Sequence, residues 1–497
     1  MSKKMLLVDC EHNSTNVCAL EDGILQEFYN ETAEEVQLTG NIYKGKVTDV
    51  VDGLQSAFVD IGLDRTGFWY IGETLVHNTI LGEQGALPHT ILAKPGDYVM
   101  VQAIKEATPL KGPKLTSNIS IPGHYLIYLY NLEFIGVSNK ILEQEERDRL
   151  IGVLKGLAPE GRGFIARTNA KNISEIEIKK EAEYLIRAGE ALQKKWDEAD
   201  GISLIYNEGN LLYRSIRDMI GLNTEKIVCN NEKLASDIRE MVSSMCPYFN
   251  GEIEIYNRKE DMFDYYNIGD DIYALGQKRV NLPIGGYLVI ERTEALTAID
   301  VNTGRFIGSI DREDTVFRTN IDAAKEIARQ IRLRNIGGLI VIDFIDMLSE
   351  EHKVDVVNAL KDELFKDRVK TKVMDMSGLG LVEVSRKKIG KEFGLVSSEK
   401  CPYCAGSGNI ISQNVLSRML KLSLKKLFAY KKQQTVFVKV HVSFAEYILK
   451  EKVFSKECAS DWADKRIYLI PVGDITPGTF QFLDEAETSN SGAVLLQ

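Results

Sequence analysis

Two stretches of this chain end an apolar strand on a carboxylate. Leu296-Thr297-Ala298-Ile299-Asp300-Val301-Asn302-Thr303-Gly304 is one; Gly337-Gly338-Leu339-Ile340-Val341-Ile342-Asp343-Phe344-Ile345-Asp346-Met347 is the other. The apolar run after Gly337-Gly338 reads as a buried strand, and packing does not ask for Asp343 at its end. Side by side, the two strands would bring Asp300 and Asp343 together, and like charges at close range are tolerated mainly when a cation lies between them. Oxygen-only ligands favour magnesium or manganese over zinc. Asn302 lies two residues beyond Asp300, on the same face of a strand, where its amide oxygen could hold a water on the metal or the substrate. One strand-end aspartate would read as the start of a turn; two, separated by one helix, tilt the reading toward a metal site.

Other residues carry chemistry of their own. Gly161-Arg162-Gly163-Phe164-Ile165-Ala166-Arg167-Thr168 reads as a strand that ends in an arginine and a hydroxyl. A guanidinium fork beside a threonine suits a terminal phosphate, although a surface arginine in a loop has the same sequence. Cys401-Pro402-Tyr403-Cys404, followed by Gly406 and Gly408, has the shape of a zinc knuckle. It supplies two thiolates of the four ligands that zinc needs. The other five cysteines show no matching pair, so the natural completion is the same motif from a second chain; a redox pair or two unligated thiols are the alternatives.

The elements that must hold these residues follow from hydrophobic periodicity. Residues 4–30 alternate as a hairpin turning at Glu21-Asp22-Gly23. Short strands broken by glycine turns fill 41–71, and Tyr98 to Lys105 would close them into a small barrel. Helices are predicted over 141–156, 171–199, 215–220 and 232–243, with short strands at Ile205-Tyr206, Leu211-Leu212 and Lys226 to Cys229 completing the N-terminal sheet. Between the aspartate strands, Ile321, Ala324, Ile327, Ala328 and Ile331 recur at helical spacing, with Thr319 or Asn320 as N-cap and Asn335 and Gly337 as the stop. Arg329, Arg332 and Arg334 in its last turn suit either the helix C-terminus or a phosphate. A second helix covers Val354 to Leu364.

At 497 residues the chain is too long for one core, and 44% hydrophobic with 27% charged residues is the composition of a soluble globular protein. The N-terminus has too short an apolar run for a signal peptide and no stretch is long enough to span a bilayer, so the expected location is the cytoplasm, with no membrane partner. Seven cysteines, five of them single, fit a reducing compartment. A net charge of −11 argues against nucleic acid, but its distribution argues the other way. Ile411 to Ala445 holds no acidic residue and carries Arg418, Lys421, Lys425, Lys426, Lys431, Lys432 and Lys439; Arg386, Lys387, Lys388 and Lys391 form another basic cluster. Either could be a solvated helix face.

Gly45-Lys46-Val47, Ala57-Phe58-Val59-Asp60-Ile61-Gly62 and Gly67-Phe68 resemble an S1 domain, an OB-fold RNA-binding module. There Phe58 and Phe68 would stack on bases while Lys105 and Lys111 follow the backbone; as ordinary strand aromatics the two rings would instead be barrel core. Together with the two aspartate motifs and Cys401-Pro402-Tyr403-Cys404-Ala405-Gly406-Ser407-Gly408, in this order, the chain resembles the ribonuclease E/G family over nearly its whole length. The resemblance implies a magnesium-dependent endoribonuclease cutting single-stranded RNA, in ribosomal RNA processing or messenger decay, to leave a 5′-phosphate and a 3′-hydroxyl. Asp300 and Asp343 would bind the magnesium with Asn302 assisting, Arg167, Thr168 and Val137 would sense a 5′-monophosphate, and Cys401 and Cys404 would share a structural zinc between two chains of a homodimer or homotetramer. Asn139-Lys140 and Gly378 depart from what relatives often carry.

The implied fold is multidomain α/β and α+β. An RNase-H-like subdomain (1–36 and 203–279) is interrupted by the S1 domain (37–119) and a 5′-sensor segment (120–202). A DNase-I-like catalytic subdomain (280–397), the zinc link (398–410) and a small C-terminal α/β domain (411–497) follow. No long tail follows residue 497 in the sequence, so the likeness is to the tail-less, ribonuclease G-like kind, with no tail-based scaffold partners expected. A non-catalytic RNA-binding or ribosome-associated dimer is the alternative, and the intact carboxylates in both motifs favour the enzyme.

Overall fold

The structure is a computed structural model that describes the chain except residues 1–2, 12, 33–36, 52, 54, 71–92, 108–110, 222, 247–248, 305–311, 389–391, 394–400, 405, 407, 432, 484–491 and 497. Lys391, Ala405, Ser407 and Lys432, named above, therefore lie outside the described residues. The fold is mixed α/β, with five sheets among the described residues, and it divides into two compact units, 1–397 and 398–497. Among the described residues no helix is long and apolar enough to cross a membrane.

The N-terminal sheet joins three antiparallel strands, Lys4–Glu11, Ser14–Glu21 and Ile24–Thr32, to two distant ones, Thr224–Cys229 and Glu252–Ile255, that add in parallel beside the first. The turn at Asp22-Gly23 falls where expected, and a second one at Asn13, with φ of +63°, makes the element three-stranded. Leu211-Leu212 is a correction. It opens the helix Leu211–Met219, because the Asn210 side chain accepts the Tyr213 N–H and caps a helix there.

The expected barrel forms. Strands Ile42–Val51, Ser56–Asp60, Gly67–Tyr70, Lys114–Thr116 and Tyr98–Lys105 pair in that order, and the last returns to the first to close the ring. Trp69, Ala57, Val59, Val101 and Leu115 fill it. A Cβ on Gly67 would lie 2.4 Å from the Leu115 side chain, so the small residue lets these strands close. Ser203–Tyr206 joins this sheet rather than the N-terminal one.

The six-stranded sheet that carries the aspartates runs Arg279–Asn281, Tyr287–Arg292, Leu296–Asn302, Gly338–Asp343, Leu381–Arg386, Thr371–Val373. Helices Arg312–Leu333 and Glu350–Phe365 supply the layer against one face, burying Ile299, Val301, Ile340, Ile342, Val382 and Val384 against Ala324, Ile327, Ile331, Val356 and Leu360. The first of these helices starts well before Thr319 and Asn320, which are buried inside it rather than capping it. Its arginines meet protein. Arg329 bonds Glu326, Asp271 and the Leu25 carbonyl, Arg332 the Glu363 carbonyl and Gln26, and Arg334 the carbonyls of Gln277 and Ala274.

In the C-terminal unit, Thr435–His441 and Arg466–Val472 pair in parallel between Phe480–Leu483 and Val494–Leu495. The helix Gln413–Lys426 packs Leu416, Leu420 and Leu424 into the core of this unit.

Candidate active site

Strand alternation decides which side chains face outward on the aspartate sheet. On Leu296–Asn302, Thr297, Ile299 and Val301 are buried while Ala298 and Asp300 are exposed; on Gly338–Asp343, Ile340 and Ile342 are buried while Leu339 and Asp343 are exposed. The second strand is therefore covered on one face, not two, and Asp343 is an exposed carboxylate rather than a buried one. The two strands run parallel with Asp300 directly opposite Asp343, at the same end of both. Asn302 donates from Nδ2 to Asp300 Oδ2 at 2.8 Å, which fixes one carboxylate. Partial burial, then the nearby charges of Asp300 and Asp346, push the Asp343 carboxyl above the usual carboxylate range. An open face with two opposed carboxylates and a third close by suits a hard dication, the ion such a set would bind. Among the described residues, no group of three or more His, Cys, Asp or Glu side chains is arranged to hold a metal ion.

Phe58 and Phe68 face outward from the barrel, half-buried, directly opposite each other with ring centroids 5.9 Å apart. Trp69, next in sequence, takes the core position. The ladder continues the outward row from Phe68 to Lys114 and from Lys114 to Lys105, both lysines following the aromatic pair on the Phe68 side. Lys114 thus belongs to this row more directly than Lys111, which is exposed on the loop before it.

Arg167 closes the strand Gly163–Ala166. Its Nη1 donates to Asp218 Oδ1 at 2.7 Å and to the Gly123 carbonyl. Asp218 is also held by Arg217 Nε and Nη2, at 2.9 and 3.0 Å. Burial would raise the Asp218 carboxyl, but Arg167 and Arg217 hold it well below its ordinary range. Thr168 Oγ1 lies 3.1 Å from Ser138 Oγ, so two hydroxyls stand beside the guanidinium's strand end. The Val137 side chain is buried, which leaves its main chain as the part that could meet a ligand. Beneath, the Glu181 carboxylate accepts the N–H groups of His124, Tyr125 and Leu126 at 2.7 to 2.8 Å and shapes the turn that presents the Gly123 carbonyl.

The sequence profile described as Ribonuclease E/G family matches residues 120–389, more than half of the chain. The chain belongs to the ribonuclease E/G family. It is 35% identical over 452 residues to ribonuclease G of Haemophilus influenzae, covering 90% of this chain and 92% of that protein. It is 37% identical over 410 residues to ribonuclease G of Escherichia coli, covering 82% and 84%. Ribonuclease E of Escherichia coli is 34% identical over 460 residues, but these are only 43% of that longer protein. Family membership makes the chain an endoribonuclease, a hydrolase of the ribonuclease G-like kind.

Within this family member, sequence reasoning missed the partners rather than the motifs. Asp218, Arg217 and Glu181 lie 51, 50 and 14 positions from Arg167 and carry no local signal. Arg386, read as part of a basic cluster, is a correction: it is buried and donates to Asp367 at 2.7 Å, with Asn335 and the Ile336 carbonyl taking its other nitrogen. Cys401 is exposed and Cys404 half-buried in a turn, where the Gly408 N–H donates to Cys404 Sγ at 3.3 Å. Gly406 and Gly408 have φ of +91° and +74°, which the knuckle-like loop requires. Cys18, Cys229 and Cys246 are buried elsewhere, in the first unit.

Proposed function

We propose that this endoribonuclease cuts single-stranded RNA with magnesium held by Asp300 and Asp343. The observation that carries the reading is the in-register pairing of these two carboxylates on the uncovered face of the sheet. Magnesium, when bound there, would supply the positive charge that eases deprotonation of water and stabilises charge growing on the phosphate. Asp300 and Asp343 bind and orient that ion. Asn302, with its amide nitrogen committed to Asp300, keeps that carboxylate from turning away. A water oxygen bonds to phosphorus as the bond to the 3′-oxygen breaks; the 3′-oxygen takes up a proton, and the products carry a 5′-phosphate and a 3′-hydroxyl.

The closed barrel with its outward Phe58, Phe68, Lys105 and Lys114 supports an S1-type grip on single-stranded RNA, with Lys111 at its margin. Arg167 and Thr168, with the main chain at Val137, form a site for a 5′-monophosphate, so that substrates bearing one are cleaved faster. The proposed domain plan is an RNase-H-like part (1–36, 203–279) whose strand Ser203–Tyr206 pairs with the barrel, the S1 barrel (37–119), the 5′-sensor (120–202), a DNase-I-like catalytic layer (280–397), the link (398–410) and the small domain (411–497). Gly408 N–H donates to Cys404 Sγ and shapes the loop, and a zinc shared by Cys401 and Cys404 of two chains would join a homodimer, or pairs of them in a homotetramer. The biological task is ribosomal RNA processing, messenger decay or both.

The test is cleavage of a short fluorescent single-stranded RNA with a 5′-monophosphate, with and without magnesium, by the wild type, Asp300→Asn and Asp343→Asn. Magnesium-dependent cutting that either substitution abolishes, with RNA binding retained, is the expected result. Equal cutting by the substituted proteins would remove the two aspartates from the reaction.

A further inference from the structure

Asp343 is the last residue of its strand, and residues 344–349 carry the chain on to the helix Glu350–Phe365. A strand end running into a six-residue connection would leave Asp343 and Asp346 loosely placed. Instead the connection is pinned from beneath. Phe344 and Met347, at 3% and 5% exposure, enter the core, while Asp343, Asp346 and Leu348 stay out. The backbone at Ile345, between the two aspartates, is held by a buried side chain. Asn320, fully buried on the helix Arg312–Leu333, donates from Nδ2 to the Ile345 carbonyl at 2.8 Å and accepts the Ile345 N–H at 3.1 Å. Its amide does for Ile345 what a neighbouring strand would do.

The same helix holds the far end of the connection. Seven residues earlier, and so two turns along the same face, Glu313 accepts the Leu348 N–H at 3.1 Å and the Ser349 N–H at 3.3 Å. His352 Nδ1 lies 3.1 Å from Glu313 Oε1, and its ring stacks on Phe317 at 4.2 Å between centroids. An asparagine at full burial in a helix is a poor choice for propensity and for packing, where alanine or leucine would serve. Its use here is the connection it grips.

We propose that Asn320, assisted by Glu313, is a positioning residue that sets where the Asp343 and Asp346 carboxylates stand relative to Asp300. The proposal rests on the metal reading given above. Neither Asn320 nor Glu313 touches RNA or the ion; they act through the backbone of residues 345–349.

Manganese binding tests this apart from catalysis, by the loss of the free-ion electron paramagnetic resonance signal on titration into apoprotein. Asn320→Asp keeps size and the acceptor for Ile345 N–H but sets an oxygen against the Ile345 carbonyl; Asn320→Ala removes both bonds. Supporting groups of this kind change metal affinity or rate by about 10- to 100-fold. The expected result is manganese binding weakened by that factor, kcat reduced alike, and KM for RNA within about twofold of wild type, in protein whose circular dichroism and melting show it folded. Wild-type manganese affinity and kcat in folded Asn320 variants would overturn the clamp. Should position 320 not tolerate change, the same readings on Glu313→Ala decide, and wild-type values there overturn it. Equal manganese binding by the wild type and Asp343→Asn would overturn the metal reading itself, and the clamp with it.

Discussion

Replacing Arg167 by alanine should erase a preference for 5′-monophosphorylated RNA while leaving the enzyme able to cut. The size of the effect follows from what Arg167 already does. One guanidinium nitrogen is committed to Asp218 and the Gly123 carbonyl, which orient the fork; the hydroxyls of Thr168 and Ser138 stand beside it. A terminal phosphate can take charge-assisted bonds from the guanidinium edge that Asp218 does not engage. Such bonds contribute roughly 1.5–3 kcal/mol in total for a group that is a quarter exposed, since water screens part of the charge. That is about 10- to 150-fold in kcat/KM. The fold should survive, because Asp218 keeps both bonds from Arg217; loss of a partly exposed pair costs about 1 kcal/mol. The assay compares kcat/KM for two RNAs that differ only in a 5′-monophosphate or 5′-hydroxyl. In Arg167→Ala their ratio should fall to near one, with the 5′-hydroxyl RNA cut at close to the wild-type rate. If the ratio persists in a folded variant, Arg167 is not the sensor. If both substrates slow together, its role is in the fold.

Phe58→Ala or Phe68→Ala should raise KM for single-stranded RNA by about 1–3 kcal/mol per lost stack with kcat unchanged; unchanged KM would make the outward rings structural only. Arg386→Ala strips one side of a fully buried ion pair with Asp367 and should lower stability by roughly 3–5 kcal/mol in urea titration, far more than loss of an exposed lysine such as Lys372. Burial, assisted by the charges of Arg167 and Arg368, lowers the His124 imidazole from 6.5 to about 4. Below pH 6.5 the unfolded chain then takes up a proton that the folded chain refuses, so this contribution is complete above pH 6.5 and lost as pH falls toward 4. The loss is on the order of 3 kcal/mol, and His124→Asn should flatten the urea midpoint across that window.

The aspartate motifs were legible because strand period and strand end are local properties. Asp300 and Asn302 share a face by spacing alone, as the structure has it. The openness of that face was not legible. Leu339 is 44% exposed and Val341 half-buried, yet in sequence they look like core, because β-branched and leucine side chains serve a strand on either face. The helix before Asp343 was placed too late for a related reason: its first turn carries Glu313 and Asp314, which suit a helix N-terminus, but no apolar repeat announces it. Leu211-Leu212 looked like a strand until Asn210 capped it into a helix. Barrel closure was readable from strand spacing, whereas the addition of Ser203–Tyr206 to its edge depends on a pairing across more than 150 residues.

What sequence could not supply has one physical source. A buried polar side chain must find a partner, but nothing fixes how far along the chain that partner lies. Asn320 meets Ile345, Glu181 meets the backbone at 124–126, Arg386 meets Asp367, and Arg217 meets Glu208. Three of these pairs touch places that the proposed function uses: the carboxylate connection, the turn under Arg167, and the carboxylate that orients Arg167; Arg386 anchors the opposite end of the strand that pairs with Gly338–Asp343, level with Gly338. Apolar contacts in the same places would hold the layers together but would leave a strand end or a turn free to slide by a fraction of an ångström. Directional bonds do not permit that sliding. The motif residues are therefore written locally, while their precision is written in distant polar residues that look, in sequence, like surface.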